Sequence, residues 1–415
     1  MKPTLALVHW GNTIDDFLRP NRLDLGTFAR SFVGSWMFGY VEALRAADAD
    51  VVLFLFSEEI EETTRLRHEP TGARIVALPA PRAYRRLRRR MTDPYGRSAE
   101  QTFGRRTALN ALRREAAPYL TTSVRRFARE LRREGCSAVL VQEYEFPRFD
   151  VLALARPAKL PVYAVFQGGD YRRWRLEPLV RARAIARAAG LIVPTEAERA
   201  RLHATYARLP RVAAIFNPVD VERWRPGRVE GTRARLGIGP HERVVVWHGR
   251  VDIRKKGLDV LLAAWPLLQV PARLVLIGAG PDDDRLAATL DARVVRVPAT
   301  DDPTELRELL CAADVYAFPS RLEGFALAPI EAAACGLPVV AARASGVADA
   351  FPDGEGSGAL LVDREDAPAL AAALDRVLGD PPLAAELGAA ARARAVAAFG
   401  LPAVGRELRR FIWPA

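Results

Sequence analysis

Short, near-continuous apolar runs alternate with stretches of helical periodicity along almost the whole chain, and that alternation constrains the fold more than any other feature. In a first series the runs lie at 4–10, 51–56, 73–78, 138–142, 161–166, 191–193 and 212–216, with helical spacing over 28–46, 98–134 and 176–189. A second series has runs at 243–249, 273–278, 292–297, 314–319, 337–342 and 358–362. Helical stretches follow there at 257–268, 283–291, 303–312, 329–335 and 367–378. Strands made almost wholly of Val, Ile and Leu belong to parallel sheets buried on both faces by helices. At 415 residues the chain is too long for one ordinary core. Between the two series lies NPVDVERWRPGRVEGT (217–232), rich in Pro, Gly and charge. The expected fold is therefore α/β, with two tandem doubly wound, Rossmann-like parallel-sheet domains facing a cleft. The domains are placed at 1–216 and 233–398, with 217–232 as linker. The segment 399–415 forms an amphipathic helix that caps the second domain or crosses back to the first.

Charge is concentrated in one place. The net charge is +11, and only four of the 61 basic residues are Lys. Between Arg82 and Arg133, 16 Arg face Asp93, Glu100, Glu115 and Glu130, a local 16 − 4 = +12. The rest of the chain is then near −1. Such a segment reads as a solvated basic surface, or as one that meets an anionic membrane or an acidic acceptor. Its aromatic residues are too scattered for a nucleic-acid stacking platform, so no nucleic acid is expected. No apolar stretch is long enough for a transmembrane helix, and the N-terminus reads as a first strand rather than a signal peptide. Cys136, Cys311 and Cys335 are too far apart for a disulfide framework or zinc motif, which points to a cytoplasmic setting.

In an open parallel sheet, ligands bind beyond the carboxyl ends of the strands. Arg250, Lys255 and Lys256 follow the first strand of the second series, Gly278 and Gly280 the second, Ser320 and Glu323 the fourth. Two adjacent lysines in a chain that otherwise prefers Arg suggest a phosphate-binding loop, since a compact ammonium and a planar guanidinium hold phosphate differently. In EGFALAPIE (323–331), Pro329 fits a first helical turn. Backbone amides of Gly324–Leu327 then offer an anion site at a helix N-terminus. Glu323 and Glu331 would repel phosphate and suit sugar hydroxyls instead.

The set GR(x)5KG, a strand ending in IGAG, and EGFALAPIEAAACGLPVVAA resembles the retaining glycosyltransferases of family 4, which have the two-domain GT-B architecture. The resemblance is strong over about 240–380 and fainter before it. It implies that Arg250 and Lys256 hold the donor diphosphate and that Glu323 contacts the transferred sugar. Glu331 would bind the ribose hydroxyls, and the amides of Phe325, Ala326 and Leu327 would hold phosphate and sugar. Gly278 belongs to the same donor set. FNPVD (216–220) and ASGVAD (344–349) match two further family loops. On the acceptor side the resemblance points to Gly34 and Ser35. The family's N-domain histidine is replaced by Gln167, in FQGGD, with Gly168 and Asp170 beside it. Ala326 stands where glycine is usual, and Asp349, where glutamate is common, receives no role.

The implied activity is transfer of a sugar from a nucleoside diphosphate sugar to an acceptor hydroxyl with retention. The expected cofactor is none, and no metal is required. Asp48 and Asp50 precede a strand, on the wrong sheet edge, and Asp282, Asp283 and Asp284 suit a helix dipole better than a cation. His9 and His248 end strands on the ligand edge, while His68, His203 and His241 read as surface. A non-catalytic sugar-nucleotide binder of the same fold is the alternative. A nucleotide-dependent oxidoreductase rests only on Gly278-x-Gly280, which lacks the third glycine.

Overall fold

Strands of three to eight residues, most of them apolar runs, form the two sheets of the chain, and in each sheet the strand order reverses once. The computed structural model describes residues 2–9, 11–94, 98–168, 177–227, 231–300 and 302–414, without the side chains of Ser35, Trp36 and Leu179. Two compact units result: Met1–Pro194 with Glu198–Ile215 and Gly405–Ala415, and Thr195–Ala197 with Phe216–Val404.

In the first unit the strands are β1 (Thr4–Val8), β2 (Asp50–Ser57), β3 (Thr64–Arg67), β4 (Arg74–Pro79), β5 (Ala138–Gln142), β6 (Val162–Val165), β7 (Gly190–Ile192) and β8 (Arg211–Ala213). Their order is β3-β4-β2-β1-β5-β6-β7-β8, parallel except for β3. Periodicity missed β3 because TRLR is short, and its two exposed residues are both Arg; such charge blunts a sheet edge. The reversal falls between β1 and β5, in register Leu5↔Ala138 to Val8↔Val141.

In the second unit, β9 (Arg243–His248), β10 (Ala272–Ile277), β11 (Val294–Val297), β12 (Val315–Phe318), β13 (Val339–Ala342) and β14 (Ala359–Val362) lie in the order β11-β10-β9-β12-β13-β14. All these pairings are parallel, and the reversal falls between β9 and β12. That is the doubly wound order with its switch point at the first strand. Both faces are covered, one by a cluster around Val246, Phe318 and Ile330, the other by one around Trp247, Leu261 and Leu374.

Several helices differ from the periodic reading, each for a local reason. The stretch 98–134 divides into Ala99–Phe103, Ala108–Ala116, a short 3₁₀ turn and Val124–Arg133. Gly104 at φ +69° ends the first and Thr107 caps the next, its side chain accepting from Asn110 N. The stretch 28–46 is two helices, Leu25–Ser31 and Ser35–Ala46, the second with Gly34 as N-cap. A helix at Pro381–Arg394 escaped the periodic reading, although Asp380 and Pro381 form an N-terminal cap.

The linker assignment at 217–232 needs correction, because much of that segment packs into the second unit. Val219, Val221 and Trp224 are buried, and Val219 N donates to Phe399 O at 2.7 Å. Charge and proline in the sequence masked an alternation of inward apolar residues. Helix Leu401–Ile412 begins in the second unit, and Gly405–Ala415 belongs to the first. There Tyr163 Oη donates to Ile412 O at 2.9 Å and Trp413 Nε1 donates to Ser137 Oγ at 3.0 Å. His68 is also corrected: it is buried, stacked on Phe38 at 3.6 Å, with Nε2 2.7 Å from Phe32 O.

Candidate functional site

The switch point of the second unit gathers most of the sequence-selected side chains. After β9 the chain makes one helical turn, Ile253–Lys256, with Asp252 accepting from Lys255 N at 3.0 Å. Gly257 ends the turn at φ +65°, and a Cβ there would lie 2.0 Å from Pro319 O. Only glycine permits the β9 and β12 loops to touch so closely. The approach brings Lys256 Nζ to 2.7 Å from Glu323 Oε1, and Ser320 Oγ donates to the same oxygen at 2.6 Å. Arg321 fastens the loop behind them, with a two-pronged bond to Asp259 at 2.6 and 2.9 Å and a bond to Glu365 at 2.8 Å. Lys255 points its exposed side chain elsewhere, so only one of the paired lysines joins the cluster.

Helix Leu327–Ala334 follows with Ala326 as N-cap, and no side chain caps it. Gly324 is half-buried, and Phe325 packs on Phe216 with ring centres 5.6 Å apart. The amides of this turn therefore border Glu323. Further along the helix, Glu331 Oε2 lies 3.1 Å from His248 Nε2, and both residues are buried. His248 is held from the other side, its carbonyl accepting from Tyr316 Oη at 3.2 Å.

A cavity of about 210 Å³ opens beyond β9, β10 and β11, lined by His248, Arg250, Gly278, Ala279, Thr300 and Leu306 among others. Gly278, at φ +146°, would place a Cβ 1.9 Å from Gly249 O, so the β9 and β10 loops also meet through glycine. Arg250 and Gly278 thus share one cavity with His248, the partner of Glu331. Lys256 and Glu323 form a separate pair outside that lining. Thr300 was missed, although its position just past β11 satisfies the same sheet-edge rule.

Two aspartates of this edge, Asp282 and Asp283, are already engaged. Asp282 accepts from Ile253 N at 2.9 Å, and Asp283 accepts from Gly280 N at 2.8 Å and from Arg296 at 2.5 Å. The Gly280 amide, with Arg296, holds the Asp283 carboxyl below the usual carboxylate range. Asp349, left without a role by sequence, accepts from Glu196 N at 2.8 Å.

In the first unit the corresponding edge holds Gln167, half-buried after β6. Its backbone N donates to Glu143 Oε2 at 3.1 Å, and its side chain hydrogen-bonds the buried Tyr40 hydroxyl. No acceptor meets Gln167 Nε2 among the described residues. Tyr40 belongs to the helix that Gly34 begins, so the structure connects that helix to Gln167. Gly168 follows at φ +87°. Gly169 and Asp170 lie outside the described residues, as does the Ser35 side chain. Glu143 was missed: it sits at φ +84°, accepts backbone bonds from Gln167 and Glu145, and carries no sequence signal for that conformation. His9 is buried beside Thr13 Oγ1 at 2.6 Å, and burial together with Arg148 depresses its basicity well below that of a free imidazole. A small pocket of about 30 Å³, room for about one water, is lined here by Asn12, Asp16, Tyr84, Arg114 and Thr121 among others.

Comparison with known proteins agrees with this geometry. Residues 242–380 match the family model described as Glycosyl transferases group 1, and residues 91–223 match Glycosyltransferase Family 4. The D-inositol 3-phosphate glycosyltransferase of Corynebacterium urealyticum is 36% identical over 231 residues, 51% of this chain and 54% of that protein. D-inositol 3-phosphate glycosyltransferase 2 of Catenulispora acidiphila is 38% identical over 192 residues, 42% of this chain and 44% of that protein. The chain spans about half the length of these curated relatives. Sucrose-phosphate synthase from Thermosynechococcus elongatus superposes with a TM-score of 0.69 at 23% identity, covering 99% of this chain and 98% of that one. Anabaena HepE in complex with UDP superposes with a TM-score of 0.68 at 16% identity, covering 99% of each. At those identities the structural likeness establishes the fold.

Proposed function

Because the chain belongs to the family 4 glycosyltransferases, we propose that it moves a sugar from a nucleoside diphosphate sugar to an acceptor hydroxyl with retention of configuration. The observation that carries this reading is the Lys256–Glu323–Ser320 cluster beside an uncapped helix N-terminus at the sheet's switch point. Arg250 and Lys256 supply positive potential to the diphosphate, each cation being worth about 4 kcal/mol at about 4 Å and an effective dielectric of about 20. The amides of Phe325, Ala326 and Leu327 add donors aimed at the phosphate and sugar oxygens. Glu323 accepts from sugar hydroxyls once Lys256 turns to phosphate, and Glu331 accepts from the ribose hydroxyls.

In the transfer step, the bond from the sugar's anomeric carbon to the phosphate oxygen breaks. A bond from that carbon to the acceptor oxygen forms on the same face. The acceptor's proton passes to the departing phosphate oxygen, leaving a nucleoside diphosphate and a glycoside. Charge develops on the diphosphate as the bond breaks, where Arg250, Lys256 and the helix N-terminus stabilise it. These groups make a metal dispensable in this reading. Gln167, whose buried Nε2 meets no acceptor among the described residues, orients hydroxyls on the acceptor side together with Gly34, Ser35, Gly168 and Asp170.

No helix among the described residues is long and apolar enough to cross a membrane. The reading places the chain in the cytoplasm, with the arginine-rich segment 82–133 meeting an anionic membrane face and no nucleic-acid partner. A panel of UDP-, GDP- and ADP-sugars in thermal-shift measurements, followed by transfer assays on hydroxyl acceptors that include D-inositol 3-phosphate, tests the proposal. Proton NMR of the product fixes its anomeric configuration. Binding of every donor tried without transfer or hydrolysis would show a non-catalytic sugar-nucleotide binder.

A further inference from the structure

Residues 80–94 and 98–122 include a small helical satellite of the first unit, around Ala80, Tyr84, Ala117, Leu87 and Met91. Its outer surface carries two features that a soluble face does not require. First, helix Ala108–Ala116 exposes Leu109 and Leu112 at 55% and 60%, and the turn that follows exposes Leu120 at 40%. Half of the six large apolar side chains exposed among the described residues thus fall within twelve positions. Leu109 and Leu112 stand one helical turn apart, on one face, with exposed Ala108 and Ala111 beside them.

Second, the same satellite is dense in exposed arginines. Arg105 and Arg106 immediately precede the helix, and Arg82, Arg86, Arg89 and Arg90 lie on and just beyond helix Arg82–Arg88. None of the six makes an ion pair among the described residues, whereas Arg88 is paired to Asp16 and Glu58, and Arg114 to Glu115. The nearby acids at the surface are Asp93 and Glu100. Apolar side chains on an exposed helix, preceded by two unpaired arginines and with four more on the same satellite, match the physics of an interfacial helix on an anionic bilayer. An acidic protein would satisfy the arginines but gives no role to leucines one turn apart at the outermost surface.

We infer that helix Ala108–Ala116 seats Leu109 and Leu112 in the headgroup layer of an anionic membrane, with Arg105, Arg106 and the arginines of 82–90 bound to lipid phosphates. This rests on and deepens the membrane contact proposed above for 82–133 by naming the inserting residues, and it does not depend on sugar transfer, because the test reads binding rather than turnover.

Cosedimentation of the full chain with vesicles of phosphatidylcholine, or of phosphatidylcholine and phosphatidylglycerol mixed equally, measures it. Binding is expected on the anionic vesicles alone, fading towards about 0.5 M salt, where the screening length falls to about 4 Å. Leu109→Asp/Leu112→Asp and Arg105→Glu/Arg106→Glu should each weaken partition about tenfold or more with unchanged melting temperature. Leu112→Trp should gain blue-shifted emission and quenching by brominated lipid beyond that of the parent chain. Equal binding to neutral vesicles, or none, overturns the inference. So does anionic binding that survives the double leucine change with an unquenched Leu112→Trp, which would be Coulombic attraction without insertion. Self-association in sedimentation velocity that the leucine changes dissolve, without any vesicle binding, would make a second copy the occupant.

Discussion

Lys256 and Glu323 neutralise each other at 2.7 Å, so removing either leaves a half-buried charge and an altered donor cradle. Lys256→Ala is expected to lower kcat/KM about 10²- to 10³-fold, and Lys256→Arg should not restore it, because a planar fork does not replace a compact ammonium there. Steady-state kinetics with the best donor decide this; near-parent transfer by Lys256→Ala removes the phosphate role. Glu331→Gln should raise KM for the donor more than it lowers kcat, since its partner is His248 and its proposed role lies with the ribose. Gln167→Ala should cost about 5- to 150-fold in kcat/KM, the loss of a good hydrogen bond or two. An unchanged rate would leave Gln167 as a partner of Tyr40 alone. His9 and Asp15 give opposite pH effects on stability. Burial and Arg148 lower the folded pKa of His9, so its contribution is present above the unfolded value near 6.5 and is lost as pH falls. Burial raises Asp15 to about 6, against bonds from Ser57 and Glu58, so its contribution is full below the unfolded value and lost as pH rises through about 6. His9→Gln should therefore flatten the fall in melting temperature between about pH 6.5 and 5. Asp15→Asn should steepen it. Thermal melts across that range read both.

At the scale of elements, the site depends on loops that touch through glycine rather than on the helices themselves. Gly257→Ala would drive a Cβ into Pro319 O, and the left-handed φ of +65° adds strain. A stability loss of at least about 2 kcal/mol is expected, together with weaker donor binding, because the β9 and β12 loops must part. Denaturant titration and donor calorimetry on the same variant test both halves. A variant with parent stability and parent affinity would show that the loops need not touch. Much of this was legible beforehand: the parallel strands of both series were marked by their Val, Ile and Leu runs. The breaks at Gly104, Thr107 and Phe32–Gly34 were not, because apolar periodicity continues across a cap whose function is carried by one side chain or one φ angle.

At the scale of the molecule, two units with separate cores bind different things in this reading. A nucleoside diphosphate at 100 times its Kd should stabilise the second unit by about 2.7 kcal/mol. In calorimetry the transition that shifts should be the one lost or lowered by Gly257→Ala; a uniform shift of all unfolding would contradict it. Transfer activity should also persist in a strong chelator, and a metal-rescuable loss would reassign Asp282, Asp283 and Asp284. The sequence by itself determined the largely parallel sheets, the sheet edge on which the proposed site gathers, and the residue types found there. It could do so because burial on both faces and the carboxyl-edge rule act through local pattern. Tertiary structure alone decided the partners: Lys256 with Glu323, His248 with Glu331, Gln167 with Tyr40 and Glu143, and His68 inside the core rather than on the surface. It also decided that 217–227 packs into the second unit and that the last helix ends in the first. Those choices depend on contacts between residues as many as 362 positions apart, as for Arg409 and Ala47, and no local pattern encodes which distant side chain will fill a given place.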